Sequence, residues 1–276
     1  MVIDFHTHTF PDAMAVATVE KLAAIADCKP HADGTNAGLR SSMQAAGVDK
    51  SVILPVVTNP RHTATVNRTA AALQQDGLIS FGGIHPCSET PEQVLEDIAA
   101  AGLKGIKIHP VYQQVDIDDA RYIRILKKAG ALGLTVVTHG GWDIGFPGAA
   151  QALPEKICRA ADRAGQTRLV AAHMGGWRCW EEAKMLADCG VWIDTAFSSG
   201  EVRAQTGGIR KEELQLLQKD QFMELVSCFG SDRIVFGSDS PWSDQKESLD
   251  FILSLPLTRT QQEDILFRNA LRLLSE

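Results

Sequence analysis

Eight short apolar runs recur along the chain, each followed by a stretch with helical spacing. They are VIDFH (2–6), SVILPVV (51–57), LISFGGI (78–84), GIKIH (105–109), LTVVTH (134–139), RLVAAH (168–173), VWIDTA (191–196) and RIVFGS (233–238). Runs rich in Val, Ile and Phe and bounded by turn residues read as buried strands. Between them PEQVLEDIAAAG (91–102), ARYIRILKKAGALG (120–133) and ALPEKICRAADRAG (152–165) place apolar residues three and four apart and end in glycine, as helices do. Eight strand–helix units in 276 residues predict an α/β fold, one (β/α)8 barrel domain over residues 1–276. A doubly wound open sheet would need a Gly-rich phosphate turn after the first strand, and FHTHTFPDA offers none. Residues 27–38 and 197–211 read as loops. The second follows strand seven, on the face where barrels keep their active sites, and is placed to cover one.

The composition, 45% hydrophobic and 22% charged, suits a soluble protein with a large core. The net charge is −7 and no block of Lys or Arg stands out, so neither a nucleic-acid groove nor a polybasic membrane patch is expected. KEELQLLQKD (211–220), the densest charged stretch, has leucines at helical spacing and predicts a half-exposed helix. Cysteines 28, 87, 158, 179, 189 and 228 form no C-x-x-C pair and are expected as reduced thiols of a cytoplasmic protein. No apolar run reaches membrane-spanning length, and MVIDFHTHTF lacks the pattern of a signal peptide.

In DFHTH (4–8), strand periodicity would put Asp4, His6 and His8 on one face. A barrel gives a sharper test, because its active-site residues sit at the C-terminal ends of strands. Six of the eight histidines fall there: His6, His8, His85, His109, His139 and His173. Random scatter would put about one histidine at such ends, which make up roughly an eighth of a barrel chain. Asp239, in GSDSP after the last strand, joins the same rim. Histidine and aspartate converging without cysteine form the ligand set of a divalent ion such as zinc, with a position left for water. His31 and His62 lie outside the pattern and read as surface or loop residues.

The chain resembles the amidohydrolase superfamily of metal-dependent barrels, and more closely its family 2 branch. The resemblance runs from DFHTH to RNALRLL. It rests on H-x-H at strand one, THGG at strand five, AHMGG at strand six and GSDSP at strand eight. It implies His6, His8, His139 and Asp239 as metal ligands and His173 as a catalytic histidine. Asp239, which can touch both metal and water, is the expected general base. Asp4 is a candidate partner for a histidine N–H.

Lys107 shares a face of strand four with His109. In several branches of the superfamily a lysine there carries a carbamate that bridges two metals, and His173 would then bind the second ion. A plain ammonium gripping a substrate carboxylate is the alternative, and one ion, foremost zinc, is expected. His85 and His109 each precede a proline, which by itself marks a strand end. They, Lys107 and Trp142 are the candidate substrate contacts. Trp177 and Trp242 would extend an aromatic wall, and Arg61 and Arg178 are loop arginines that could meet an acidic group. The expected function is metal-dependent hydrolysis of an amide, lactone or ester of a small molecule. A non-oxidative decarboxylase or other C–C lyase of the same family is the alternative, and a binding protein with a degenerate metal site a further one. A homodimer is a family-level expectation.

Overall fold

The computed structural model describes residues 1–207 and 214–275. The strands are β1 (Ile3–Thr7), β2 (Lys50–Ile53), β3 (Leu78–Ser80), β4 (Gly82–Gly83), β5 (Gly105–Ile108), β6 (Thr135–Thr138), β7 (Arg168–Ala171), β8 (Trp192–Asp194) and β9 (Ile234–Val235). All named pairings are parallel, in two arcs ordered β1-β2-β3 and β4-β5-β6-β7-β8-β9. The run LISFGGI supplies both β3 and β4, interrupted only at Phe81, so the eight predicted strands account for the nine segments. At the other seam the Phe5 N–H donates to Phe236 O (2.7 Å) and the Asp239 N–H to His6 O (2.8 Å). The last strand thereby returns to the first, as a (β/α)8 barrel requires.

Alternation along the strands sorts the side chains into layers. On β5, Ile106 and Ile108 join the large cluster formed with the helices Pro91–Ala100, Ala120–Ala131 and Pro154–Ala164. Lys107 between them points the other way. A second cluster gathers Phe5, Val52, Leu54, Phe81, Val137, Val170 and Val235 with the terminal helix Asn269–Leu274, whose Leu273 and Leu274 are buried in it. This packed layer lies beneath the functional end of the barrel.

The structure departs from the sequence expectations in three places. The pairing register of β1 shifts between Asp4 and Thr7. Asp4 therefore does not share a face with His6. It accepts from the Ser238 hydroxyl (2.5 Å) and from Gln245 Nε2 (2.7 Å), on the helix Gln245–Leu253. Cys158 and Cys189 are joined in a disulfide, while Cys28, Cys87, Cys179 and Cys228 are free. Their Cα atoms are 5.7 Å apart because the helix Pro154–Ala164 packs on the turn Lys184–Ala187, a juxtaposition that a 31-residue spacing does not announce. Third, the predicted helix 211–220 is broken among the described residues: Leu214 is helical, residues 215–218 are not, and a helix resumes at Lys219. Residues 215–217 instead pair with the loop after β8, through Leu217 with Ser199 and Gln215 with Glu201. Leu216 is buried there against Cys28, Phe197 and Val202. Residues 211–213, and residues 208–211 of the predicted covering loop, lie outside the described residues.

Candidate metal centre

Two glycine pairs bring the loops after β6 and β7 into contact. The Trp177 N–H donates to Gly140 O (2.8 Å) and the Trp142 N–H to Trp177 O (3.0 Å). At Gly141, with φ +82°, a Cβ would lie 2.3 Å from Trp177 N and 2.4 Å from Trp177 O. Only glycine allows so close an approach. The motifs THGG and AHMGG thus clamp His139 and His173 side by side. His173 and Asp239 themselves have positive φ, 64° and 70°. Side chains rarely take that conformation unless the surroundings impose it, and it is concentrated at functional sites.

The five residues implied by the family resemblance, His6, His8, His139, His173 and Asp239, all line one cavity of about 700 Å³. His6 Nε2 lies 3.2 Å from His8 Nε2 and 3.5 Å from Asp239 Oδ1, and His8 Nε2 lies 3.1 Å from the same oxygen. These three form a compact group able to hold an ion. His139 stands outside that triad. Its Nδ1 is 3.2 Å from His173 Nε2, and the rings of His6 and His173 are 5.4 Å apart. The site is therefore a triad on the β1–β9 side with an imidazole pair beside it on the β6–β7 side.

The far nitrogen of each ring decides what the near nitrogen can do. His8 Nδ1 donates to Leu54 O (2.8 Å), and His173 Nδ1 to Ala196 O (3.0 Å). His139 Nε2 donates to Trp142 O (3.1 Å). His6 Nδ1 faces Asp194 Oδ2 at 2.7 Å. In a neutral imidazole this leaves Nε2 of His6, His8 and His173 and Nδ1 of His139 as bare lone pairs. Burial holds His6, His139 and His173 below their ordinary values, and Lys107 beside them acts in the same direction. These rings are neutral near pH 7. Burial alone would push the Asp239 carboxyl up, but the positive charge that His6 and His8 beside it take up at acid pH holds it down to about 2. Acceptors thus face acceptors, and only a positive charge among them relieves the repulsion. Lys107 supplies one such charge. It is 1% exposed, its Nζ lies 3.2 Å from His6 Nε2, and burial brings it down to about 8, against the pull of Asp194 and Asp239.

A second His–His–Asp group lies deeper along the wall: His109, His139 and Asp143. Its protons point the other way. The Tyr112 N–H approaches His109 Nδ1 (3.4 Å), so the ring carries its proton on Nε2, 3.6 Å from Asp143 Oδ2. His139 Nε2, also protonated, is 3.9 Å from that oxygen. Ring N–H groups cannot ligate a cation. This group is a donor surface: a stack of Tyr112, His109 and His139 with centroid spacings of 3.9 and 4.3 Å, closed by a buried carboxyl. Burial pushes Asp143 up to about 6, against the N–H groups of Gly145 and Phe146.

Phe10, Met14, Trp142, Trp177, Phe197 and Trp242 give the cavity its apolar wall. Lys107 and His109 line it as well, whereas His85 is not among the lining residues. Its Nδ1 accepts from the Cys87 N–H (3.1 Å) in the turn before the helix Pro91–Ala100. His62 reaches the rim and is exposed, and His31 is a half-buried loop residue. Neither Arg61 nor Arg178 lines the cavity. Arg61 is exposed, and Arg178 lies over Trp177 and Trp180 and donates to Gln215 O (2.7 Å). Two functional candidates were not singled out by sequence. Asp194 ends the run VWID and bonds the His6 ring, the kind of role expected of Asp4. Asp143 lies four residues after His139. Their only sequence signal is an acid at or just past a strand end.

The sequence profile of the amidohydrolase family matches residues 3–275. The chain belongs to that family. The solved structures it resembles share its fold as TIM barrels. An uncharacterised TIM-barrel protein of Bordetella bronchiseptica has a TM-score of 0.77 at 20% identity, over 99% of this chain and 98% of that one. A 5-carboxyvanillate decarboxylase of Novosphingobium aromaticivorans, solved with bound manganese, has a TM-score of 0.73 at 13% identity, over 100% and 97%. A Pseudomonas putida protein provisionally described as a 2-pyrone-4,6-dicarboxylic acid hydrolase has a TM-score of 0.66 at 18% identity, over 99% and 97%. No curated protein matches the chain. The family is metal-dependent and its members include hydrolases and decarboxylases. Among the described residues no helix is long and apolar enough to cross a membrane.

Proposed function

We propose that this amidohydrolase is a divalent-metal-dependent hydrolase acting on an amide, lactone or ester carbonyl of a small, largely apolar molecule. The observation that carries this reading is the set of bare acceptors on His6, His8, His139, His173 and Asp239, fixed by their outer hydrogen bonds. His6, His8 and Asp239 would hold the ion, with His139 and His173 beside it. A bound divalent ion brings the pKa of water towards neutrality and polarises a carbonyl. Asp239, ionised throughout the neutral range, takes the proton from the attacking water. His173 Nε2 faces the same space, held by the Ala196 carbonyl, and positions that water. His109 Nε2–H and the Lys107 ammonium are the donors available to a developing oxyanion or a substrate carboxylate. Trp142 and its neighbours exclude water from the rest of the ligand. We take one zinc ion as the resident metal, with manganese as the alternative. A carbamate on Lys107, with His173 as a ligand, would raise the count to two.

Decarboxylation is the second reading. It is favoured by Lys107, a buried cation among the lining residues able to receive a carboxylate, and by the carboxyvanillate decarboxylase relative. The test begins with metal content by elemental analysis of protein purified without chelator. One equivalent is expected. None, even after reconstitution with zinc or manganese, would overturn the reading. The loaded protein is then offered aryl esters, lactones and anilides beside hydroxybenzoic acids. Acid release that stops in Asp239→Asn supports hydrolysis, and CO2 release from the acids supports the second reading.

A further inference from the structure

Asp194 is fully buried and ties together two site histidines from distant parts of the chain. Its Oδ2 is 2.7 Å from His6 Nδ1. Its Oδ1 accepts from the His173 N–H (2.9 Å) and the Ala196 N–H (3.1 Å). The same residue, Ala196, offers its carbonyl to His173 Nδ1 (3.0 Å). One carboxylate therefore acts directly on the His6 ring and, by fixing the residue Ala196, on the His173 ring. We propose that Asp194 is a positioning residue that keeps the cavity-facing nitrogens of His6 and His173 bare. For metal affinity this rests on the reading above; for the tautomer itself it does not.

The hydrogen-bond count fixes the proton. At His6 Nε2 the Lys107 ammonium is a donor 3.2 Å away, so that nitrogen is an acceptor and the ring proton lies on Nδ1, facing Asp194. A carboxylate can accept from all three of its donors. An amide of the same shape cannot. In Asp194→Asn the oxygen stays with the two backbone N–H groups, because the reverse orientation would oppose its NH2 to two donors instead of one. The NH2 then donates to His6 Nδ1 and forces the ring proton onto Nε2. The variant keeps the size and the backbone bonds but turns one candidate ligand into a donor.

The experiment is a long-range 1H–15N correlation spectrum of the histidine rings in metal-free protein, with His6 assigned by its loss in His6→Asn. The expected result is Nδ1–H in the wild type and Nε2–H in Asp194→Asn. Zinc affinity, measured by competition with a chromogenic chelator, should fall about 10–100-fold, the usual effect of losing a carboxylate behind a metal-binding histidine. A wild-type His6 protonated on Nε2 overturns the proposal, and needs no variant to fold. An unchanged tautomer and affinity in a folded Asp194→Asn also overturn it. If wild-type protein binds no zinc, the metal reading fails, while a tautomer switch in the variant still supports the role of Asp194. A merely structural role for Asp194 would lower thermal stability and leave the tautomer as it was.

Discussion

The cavity holds two groups of the same composition, two histidines and an aspartate, and they have opposite chemistry. In the group of His6, His8 and Asp239 the outer nitrogens are spent on Asp194 and Leu54 O, so bare lone pairs face the carboxylate. In the group of His109, His139 and Asp143 the outer nitrogen of His109 takes a backbone N–H, and the inner nitrogens carry protons. The carboxyls differ as well, for reasons of their own: positive charge taken up by the rings of His6 and His8 at acid pH holds Asp239 down to about 2, whereas burial pushes Asp143 up to about 6. Residue type alone does not make a cation site. The backbone groups behind the rings decide which atoms are free to ligate.

The largest effect expected follows directly. Asp239→Asn should remove stoichiometric metal and lower turnover by at least about a thousandfold, since it takes away both a ligand and the base. Asp143→Asn should keep the wild-type metal content, because its neighbours present N–H groups. Elemental analysis of the two variants side by side checks the contrast. Equal loss of metal from both would erase the distinction between the groups.

The next effect concerns His139, the ring that belongs to the second group through Nε2 and turns Nδ1 towards His173. Its orientation depends on the clamp between Gly141 and Trp177. Gly141→Ala places a methyl within 2.4 Å of two backbone atoms of Trp177 in a left-handed conformation. We expect a loss of about 2–4 kcal/mol in folding stability, from strain and clash together. Zinc affinity should fall as well, as the loops after β6 and β7 separate. Gly148→Ala is the control. It too has positive φ, but its Cβ would meet nothing within 4 Å, so it should cost less than Gly141→Ala. Denaturant unfolding of both variants measures the difference.

The parts of this site that repeat at strand ends are readable from the sequence. A barrel gathers its strand ends at one rim, so six histidines in equivalent positions carry information that a single one would not. His6, His8, His139, His173 and Asp239 reach the cavity for that reason. The hydrogen-bond partners behind them do not repeat. Asp4 was the plausible partner for a histidine, but a register shift in β1 turns it away, and strict alternation cannot show such a shift. Asp194 takes the place instead, through contacts 188 residues apart in sequence. The orientation of His109 depends on a backbone N–H at Tyr112, which no side-chain pattern records. His85 shares the strand-end position but spends Nδ1 on a turn. Likewise the pairing of Cys158 with Cys189 follows from how a helix and a turn pack, not from any spacing motif.

The smallest effect is a matter of stability, and it belongs to Asp143. Asp143 titrates at about 6 in the fold against an ordinary aspartate value of 3.8. Between those values the folded state binds the extra proton, so this group lowers stability as pH rises from about 4 to 6 and the full penalty stands above 6. At pH 7.5 it amounts to at most about 3 kcal/mol, from a shift of about two units. Asp143→Asn, which keeps an acceptor for the Gly145 N–H, should therefore stabilise metal-free protein at pH 7.5, and the gain should vanish by about pH 4. Asp239 titrates at about 2 against the same 3.8. That value depends on positive charge beside the carboxyl, and the His6 and His173 rings are neutral at pH 7.5, so it adds no ion-pair stability to the metal-free protein there. The wild type itself should weaken below pH 6.5, because His6, His109, His139 and His173 are held neutral in the fold and take up protons on unfolding. Only the difference between Asp143→Asn and the wild type, measured by denaturant unfolding in chelator across pH 4–8, isolates this aspartate. No gain at pH 7.5, or a gain that persists at pH 4, would mean that burial does not raise the Asp143 carboxyl, and the contrast between the two groups would lose that part of its physical basis.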